Sequence, residues 1–198
     1  MGDLELNLAT RRQAVLGATA ALAAAALSGC AGKGLREAGS SHAGRAPAIV
    51  QPLVFDPATG LEAINATRSK YLLAQFRHDP RLQQAAQNQA DYLGRTGKFG
   101  HEFGGETLFP RRIATVDFEG SAGENLGVGY GSIDAAIAGW LDSPKHREIL
   151  MRARYDLGGI AYAFNTSGKN PRYTHYWVMI VGQDPPAGQR MGALVKRI

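Results

Sequence analysis

The sequence predicts an α+β domain in which helices stack on a small antiparallel sheet. Two observations carry this reading. From Leu61 to Leu150 the apolar residues recur mainly at helical spacing, whereas Leu157–Phe164 and Thr174–Gly182 are rich in β-branched and aromatic residues. Helices first and strands last favour segregated layers over an alternating parallel sheet.

The first helix carries Leu61, Ile64, Arg68, Tyr71, Leu72 and Phe76 at helical spacing. His78-Asp79-Pro80 breaks it, and Asp79 with Pro80 makes an N-cap and N1 pair for the next helix. That helix places Leu82, Ala85, Ala86, Gln89, Ala90 and Leu93 on one face and stops near Gly97. A glycine-rich loop with His101 follows. A short helix is expected over Thr107–Thr115, with Pro110 in its first turn. Gly120–Gly131 reads as loop, with a strand at Asn125–Val128. Ser132 caps a helix bearing Ile133, Ala136, Ile137, Trp140 and Leu141, and Ser143-Pro144 opens another turn through His146, Ile149 and Leu150. The turn-rich stretch Asn165–Pro171 joins the last two strands as a hairpin with a longer loop.

Residues 1–29 read as a signal peptide. Arg11 and Arg12 precede the uncharged, Ala- and Leu-rich run Ala14–Leu27. That run is shorter than the ~20 apolar residues a membrane span needs, and it lacks the amphipathic period of a buried helix. Thr10-Arg11-Arg12 before it resembles a twin-arginine export signal. Leu27-Ser28-Gly29-Cys30 resembles the lipobox of bacterial lipoproteins, which implies lipidation of Cys30, the sole cysteine. No thiol then remains for catalysis, a disulfide or a multi-cysteine metal site. Residues 30–58, rich in Gly, Ser, Ala and Pro, are expected to form a flexible linker, 59–184 the domain, and 185–198 a basic tail. The net charge of +5 does not gather in the domain. Residues 59–184 hold 14 basic and 13 acidic residues, whereas the tail adds Arg190, Lys196 and Arg197. A nucleic-acid partner is therefore not expected, since such a domain concentrates its excess on one face with stacking aromatics. The zinc-protease helix motif, the Gly-x-Ser-x-Gly elbow, the P-loop and the dinucleotide fingerprint are all missing from the sequence.

Of five histidines, His42 falls in the linker, His78 in a turn, and His175 on a strand face shared with Trp177, Met179 and Val181. His101 in Gly100-His101-Glu102 and His146 after Ser143-Pro144 are the candidates for chemistry. Between them lies Glu124, in the glycine-flanked Gly123-Glu124-Asn125.

In order, these segments resemble the CAP superfamily (cysteine-rich secretory proteins, antigen 5, pathogenesis-related 1) in its bacterial, SCP-like branch. Ile64-Asn65-Ala66-Thr67-Arg68 is similar to the family's opening Leu-Asn-x-x-Arg, and Gln83–Tyr92 to its Ala-rich second helix. Gly100-His101 matches the first histidine and Gly123-Glu124-Asn125-Leu126 the Gly-Glu-Asn motif. Trp140-Leu141-Asp142-Ser143-Pro144-Lys145-His146-Arg147 is similar to Trp-x-x-Ser-Pro-Gly-His-Arg, and Tyr176-Trp177-Val178 to the closing strand. The resemblance implies an α-β-α sandwich with a three-stranded antiparallel sheet. It places His101, Glu124 and His146 in one ligand-binding cleft, with His101 and His146 as candidate ligands of a divalent metal, zinc foremost, and Glu124 as a further ligand or a base on bound water. Where eukaryotic members carry a second cleft glutamate, this chain has Ser143, and the disulfides of that branch are missing. The expected protein is a lipoprotein tethered outside the cytoplasmic membrane, binding a small amphipathic or wall-derived ligand. The alternative is an envelope hydrolase acting on peptide or wall substrates.

Overall fold

The computed structural model describes residues 50–186. The expected signal peptide 1–29, the lipidation site Cys30, most of the linker 30–58 and nearly all of the tail 185–198 lie outside the described residues.

Five helices and four strands run in the order α1 (Pro57–Lys70), β1 (Arg77–His78), α2 (Pro80–Thr96), α3 (Phe109–Ala114), β2 (Ser121–Val128), α4 (Ile133–Asp142), α5 (Pro144–Leu150), β3 (Leu157–Phe164) and β4 (His175–Gln183). A 3-10 turn at Gly105–Thr107 precedes α3. The starts follow the expected chemistry. Asp79 accepts hydrogen bonds from the Arg81 and Leu82 amides ahead of Pro80, and Ser132 accepts one from the Ala135 amide. Pro57 starts α1 behind Asp56, two residues inside the expected linker, and Gly97 ends α2 in the left-handed conformation at φ 66°.

The sheet order is β1-β3-β4-β2, antiparallel across β3–β4–β2. The expected sheet of three strands is thus one short. Arg77–His78 adds a two-residue parallel strand against Leu157–Gly158, too brief to leave a periodic signal. Central β4 is buried on both faces. Tyr176, Val178 and Ile180 pack with α2 and Ile113 of α3, while Trp177, Met179 and Val181 pack with residues of α1, α4 and α5. This is the α-β-α sandwich. Helix α2 sits directly on β3. Gln83 exchanges two hydrogen bonds with the backbone of Ile160, and a Cβ on Gly159 would stand 2.4 Å from the Gln83 nitrogen.

Two expectations need correction. The first helix was expected to reach Phe76 but ends at Lys70; Leu72 takes φ 58°, and residues 71–76 form a clamped loop. The clamp consists of the opening motif residues. Asn65 Nδ2 donates to Phe76 O at 2.9 Å, and the Phe76 amide donates back to Asn65 Oδ1 at 2.8 Å. Arg68, fully buried, donates to Ala74 O and Leu150 O. Second, the strand expected at Asn125–Val128 within the loop 120–131 is longer, the eight-residue β2 that starts at Ser121. Its glycines are there for contact: a Cβ on Gly123 would meet Ile149 at 2.8 Å, and one on Gly127 would meet Tyr130 at 3.1 Å.

Leu53 and Phe55, in the stretch expected as linker, pack onto this body. The Leu53 amide donates to the Tyr162 hydroxyl at 3.0 Å, and the same hydroxyl is hydrogen-bonded with His175 Nδ1 at 2.9 Å. The Phe55 ring meets Trp177 edge-on, 5.0 Å between centroids.

Candidate functional site

Glu124, Asn125 and His101 meet around edge strand β2. Because side chains alternate along a strand, Glu124 turns to the α2–α3 side and Asn125 to the side of α4 and α5. Asn125 Nδ2 donates to His146 O at 2.8 Å, holding α5 beside the strand. Trp140 Nε1 donates to Leu126 O at 2.9 Å and fixes α4 one residue further on. The Gly-Glu-Asn motif therefore spends its glycine on helix approach, its acid on the site and its amide on the second histidine's helix.

His101 reaches Glu124 from the loop after α2. Gln89 Nε2, on the buried face of α2, donates to Gly100 O at 3.2 Å and more distantly to His101 O at 3.5 Å. Thr107 Oγ1 accepts from the Phe103 amide, and Glu102 accepts from the Phe109 amide at the start of α3. So held, His101 Nδ1 lies 2.9 Å from Glu124 Oε1. A carboxylate only accepts, so Nδ1 carries the proton in this contact and Nε2 is the ring nitrogen facing away from Glu124. The His101 side chain is 51% exposed and that of Glu124 3%.

A group absent from the sequence-level site completes the arrangement. Arg112 of α3, buried, donates from Nη1 to Glu124 Oε2 at 2.8 Å and from Nη2 to Oε1 at 3.0 Å, a two-pronged ion pair. Its remaining bonds run from Nη2 to His101 O at 3.2 Å and from Nε to Thr107 O at 3.1 Å. One guanidinium thus ties the carboxylate, the His101 backbone and the turn before α3 together. In the sequence Arg112 is only the second of two arginines in a short helix, with no spacing that links it to Glu124.

His146, half-buried in α5, has a pKa below the usual histidine value. Burial is the larger cause and the positive charge of His101 the second, so the two imidazoles act on one another. Ser143 is half-buried and Asp142 exposed. His175, by contrast, sits apart with Tyr162 and Phe164 and is structural.

For zinc, the donor set is short. Both Glu124 oxygens are engaged by Arg112, and Oε1 also by His101, which leaves two imidazoles where protein zinc sites supply three or four ligands. Among the described residues no group of three or more His, Cys, Asp or Glu is placed to hold a metal ion. The residues as arranged do not fit the expected zinc.

The family model for the cysteine-rich secretory protein (CAP) family matches residues 61–181, more than half the chain and all of the site. The chain belongs to the CAP family. Similar folds are seen in an outer surface protein from Borrelia burgdorferi (24% identity, TM-score 0.56, covering 65% of this chain and 92% of that one). They are also seen in an extracellular SCP-domain protein from Bacillus anthracis (20%, TM-score 0.54, covering 68% and 45%) and a cysteine-rich secretory protein from Staphylococcus aureus (16%, TM-score 0.52, covering 68% and 42%). This chain spans less than half the length of the latter two. No curated protein is detectably similar to it. No helix of the CAP domain, among the described residues, is long and apolar enough to cross a membrane.

Proposed function

We propose that this CAP domain is a ligand-binding module of the cell envelope, tethered outside the cytoplasmic membrane through lipidated Cys30. Its cleft takes a small amphipathic or wall-derived molecule. The observation that carries the reading is the half-exposed His101 ring, fixed from behind by Glu124 Oε1 at 2.9 Å. A ring held at Nδ1 offers Nε2 as a pre-set acceptor for a hydroxyl or amide N–H, at little entropic cost because the ring is already ordered. His146 is the second recognition group and, with its lowered pKa, is neutral near pH 7. The outer-surface and extracellular descriptions of the bacterial relatives support the same compartment.

The test is extraction. Protein purified from membranes in mild detergent is analysed by mass spectrometry for co-purifying envelope molecules, beside the His101→Ala/His146→Ala variant. The reading expects a ligand enriched on the wild type and lost from the variant; equal content in both, or none in either, contradicts it. Cys30→Ser is expected to release the protein from the membrane fraction, and continued membrane fractionation contradicts the anchor.

The carboxylate–imidazole pair also favours a second reading, a hydrolase in which His101 takes a proton from water or a substrate hydroxyl. Hydrolysis of casein or purified peptidoglycan that falls at least about tenfold in Glu124→Gln supports it; equal rates in both proteins reject it.

A further inference from the structure

We propose that Arg112 is the resident cation of the cleft, occupying Glu124 so that a divalent metal does not bind there. The assignment depends on the proposed function only for the location of the cleft. Three observations carry it. The guanidinium covers both carboxylate oxygens, at 2.8 and 3.0 Å, so an approaching ion has to displace it rather than share a free lone pair. Arg112 is itself buried, its side chain only 10% exposed, so displacement strands a charge away from water. Its other two bonds, to His101 O and Thr107 O, tie the guanidinium to the backbone, so it is held over Glu124 by contacts for which an approaching ion does not compete. Chemically, a planar, permanently charged fork does for the carboxylate what a metal does elsewhere, neutralising and orienting it, without supplying a Lewis acid or an activated water. The cleft's chemistry is then that of two imidazoles.

The experiment titrates zinc chloride into the purified full-length chain by calorimetry. The comparison is among wild type, Arg112→Gln, Arg112→Gln/Glu124→Gln and Arg112→Gln/His101→Ala. Freeing Glu124 in Arg112→Gln is expected to tighten zinc binding by at least about tenfold over wild type, since a third ligand joins two imidazoles. Both double variants are expected to lose that gain. Wild type binding zinc as tightly as Arg112→Gln overturns the assignment, as does a gain that survives removal of Glu124. Should Arg112→Gln fail to fold, nitrogen-15 spectra of the wild-type histidine rings decide. The His101 Nδ1 signal is expected to stay protonated and unmoved with one equivalent of zinc, and a stoichiometric zinc-dependent shift of that ring overturns the proposal. No organic ligand enters either measurement. A chain that excludes zinc but carries no envelope molecule therefore refutes the proposed function and leaves Arg112's role standing.

Discussion

Replacing Arg68 by methionine tests why the opening helix carries an arginine on its buried face. Arg68 is fully buried, and its bonds run to backbone carbonyls: Nε to Ala74 O at 2.8 Å, Nη1 to Leu150 O at 2.7 Å and, at the limit of a hydrogen bond, Nη1 to Arg152 O at 3.5 Å and Nη2 to Tyr155 O at 3.4 Å. The guanidinium also lies over the Phe76 ring, 3.8 Å from its centroid. Burial lowers its pKa, the signature of a desolvation cost on the charged form. Each short charge-assisted bond contributes about 1.5–3 kcal/mol, together about 3–6 kcal/mol, and the two long ones add little. Methionine keeps the apolar stem and removes the buried charge, which returns about 1–2 kcal/mol. The expected net loss is about 2–4 kcal/mol, a large share of the roughly 5–15 kcal/mol that holds a domain together. Urea unfolding followed by circular dichroism measures it. Arg68→Lys, able to serve one or two of the acceptors, should fall between wild type and methionine. An Arg68→Met midpoint within about 1 kcal/mol of wild type refutes the clamp, because carbonyls that lose no stability were satisfied by something else.

Three more outcomes follow. Glu124→Gln leaves the Arg112 guanidinium buried without its carboxylate and should cost about 3–5 kcal/mol in urea unfolding, with the Arg112→Gln/Glu124→Gln pair losing clearly less than the two single changes combined. Gly159→Ala drives a Cβ to 2.4 Å from the Gln83 backbone and should destabilise by about 1–3 kcal/mol through a shift of α2, although alanine is otherwise the better residue entropically. His175 and His146 both have pKa values lowered chiefly by burial, so their neutral forms belong to the folded state. Their contribution is whole above the unfolded pKa of about 6.5 and is lost as pH falls through the lower folded values; unfolding midpoints should drop between pH 7.5 and 5.5, and less steeply in His175→Gln.

What could be seen in the sequence was what local chemistry decides. Helices α2 and α4 announce themselves by an apolar face and a polar cap at the first residue, and β3 and β4 by β-rich runs around a turn. The first half of strand β2 reads as loop because Gly123, which admits Ile149 and Tyr155, looks the same in sequence as a loop glycine. The end of α1 was misjudged because Tyr71, Leu72 and Phe76 keep helical spacing, while Asn65 and Arg68 bind that segment as a loop. At the site, the family resemblance pointed to His101, Glu124 and His146, and the fold pairs the first two directly. Arg112 escaped notice because its role arises only when α3 is laid against β2; nothing local distinguishes it from Arg111, whose partner is the exposed Glu106.

The measurement that reaches the proposal most directly follows the ring resonances of His101 and His146 while the purified chain is titrated, separately, with a muramyl peptide and with a long-chain fatty acid. A ligand-binding cleft predicts that both rings shift together along one saturable curve with at least one of these molecules, and that Glu124→Gln weakens the response. Rings that stay fixed while a ligand binds, or that respond to neither molecule, contradict it.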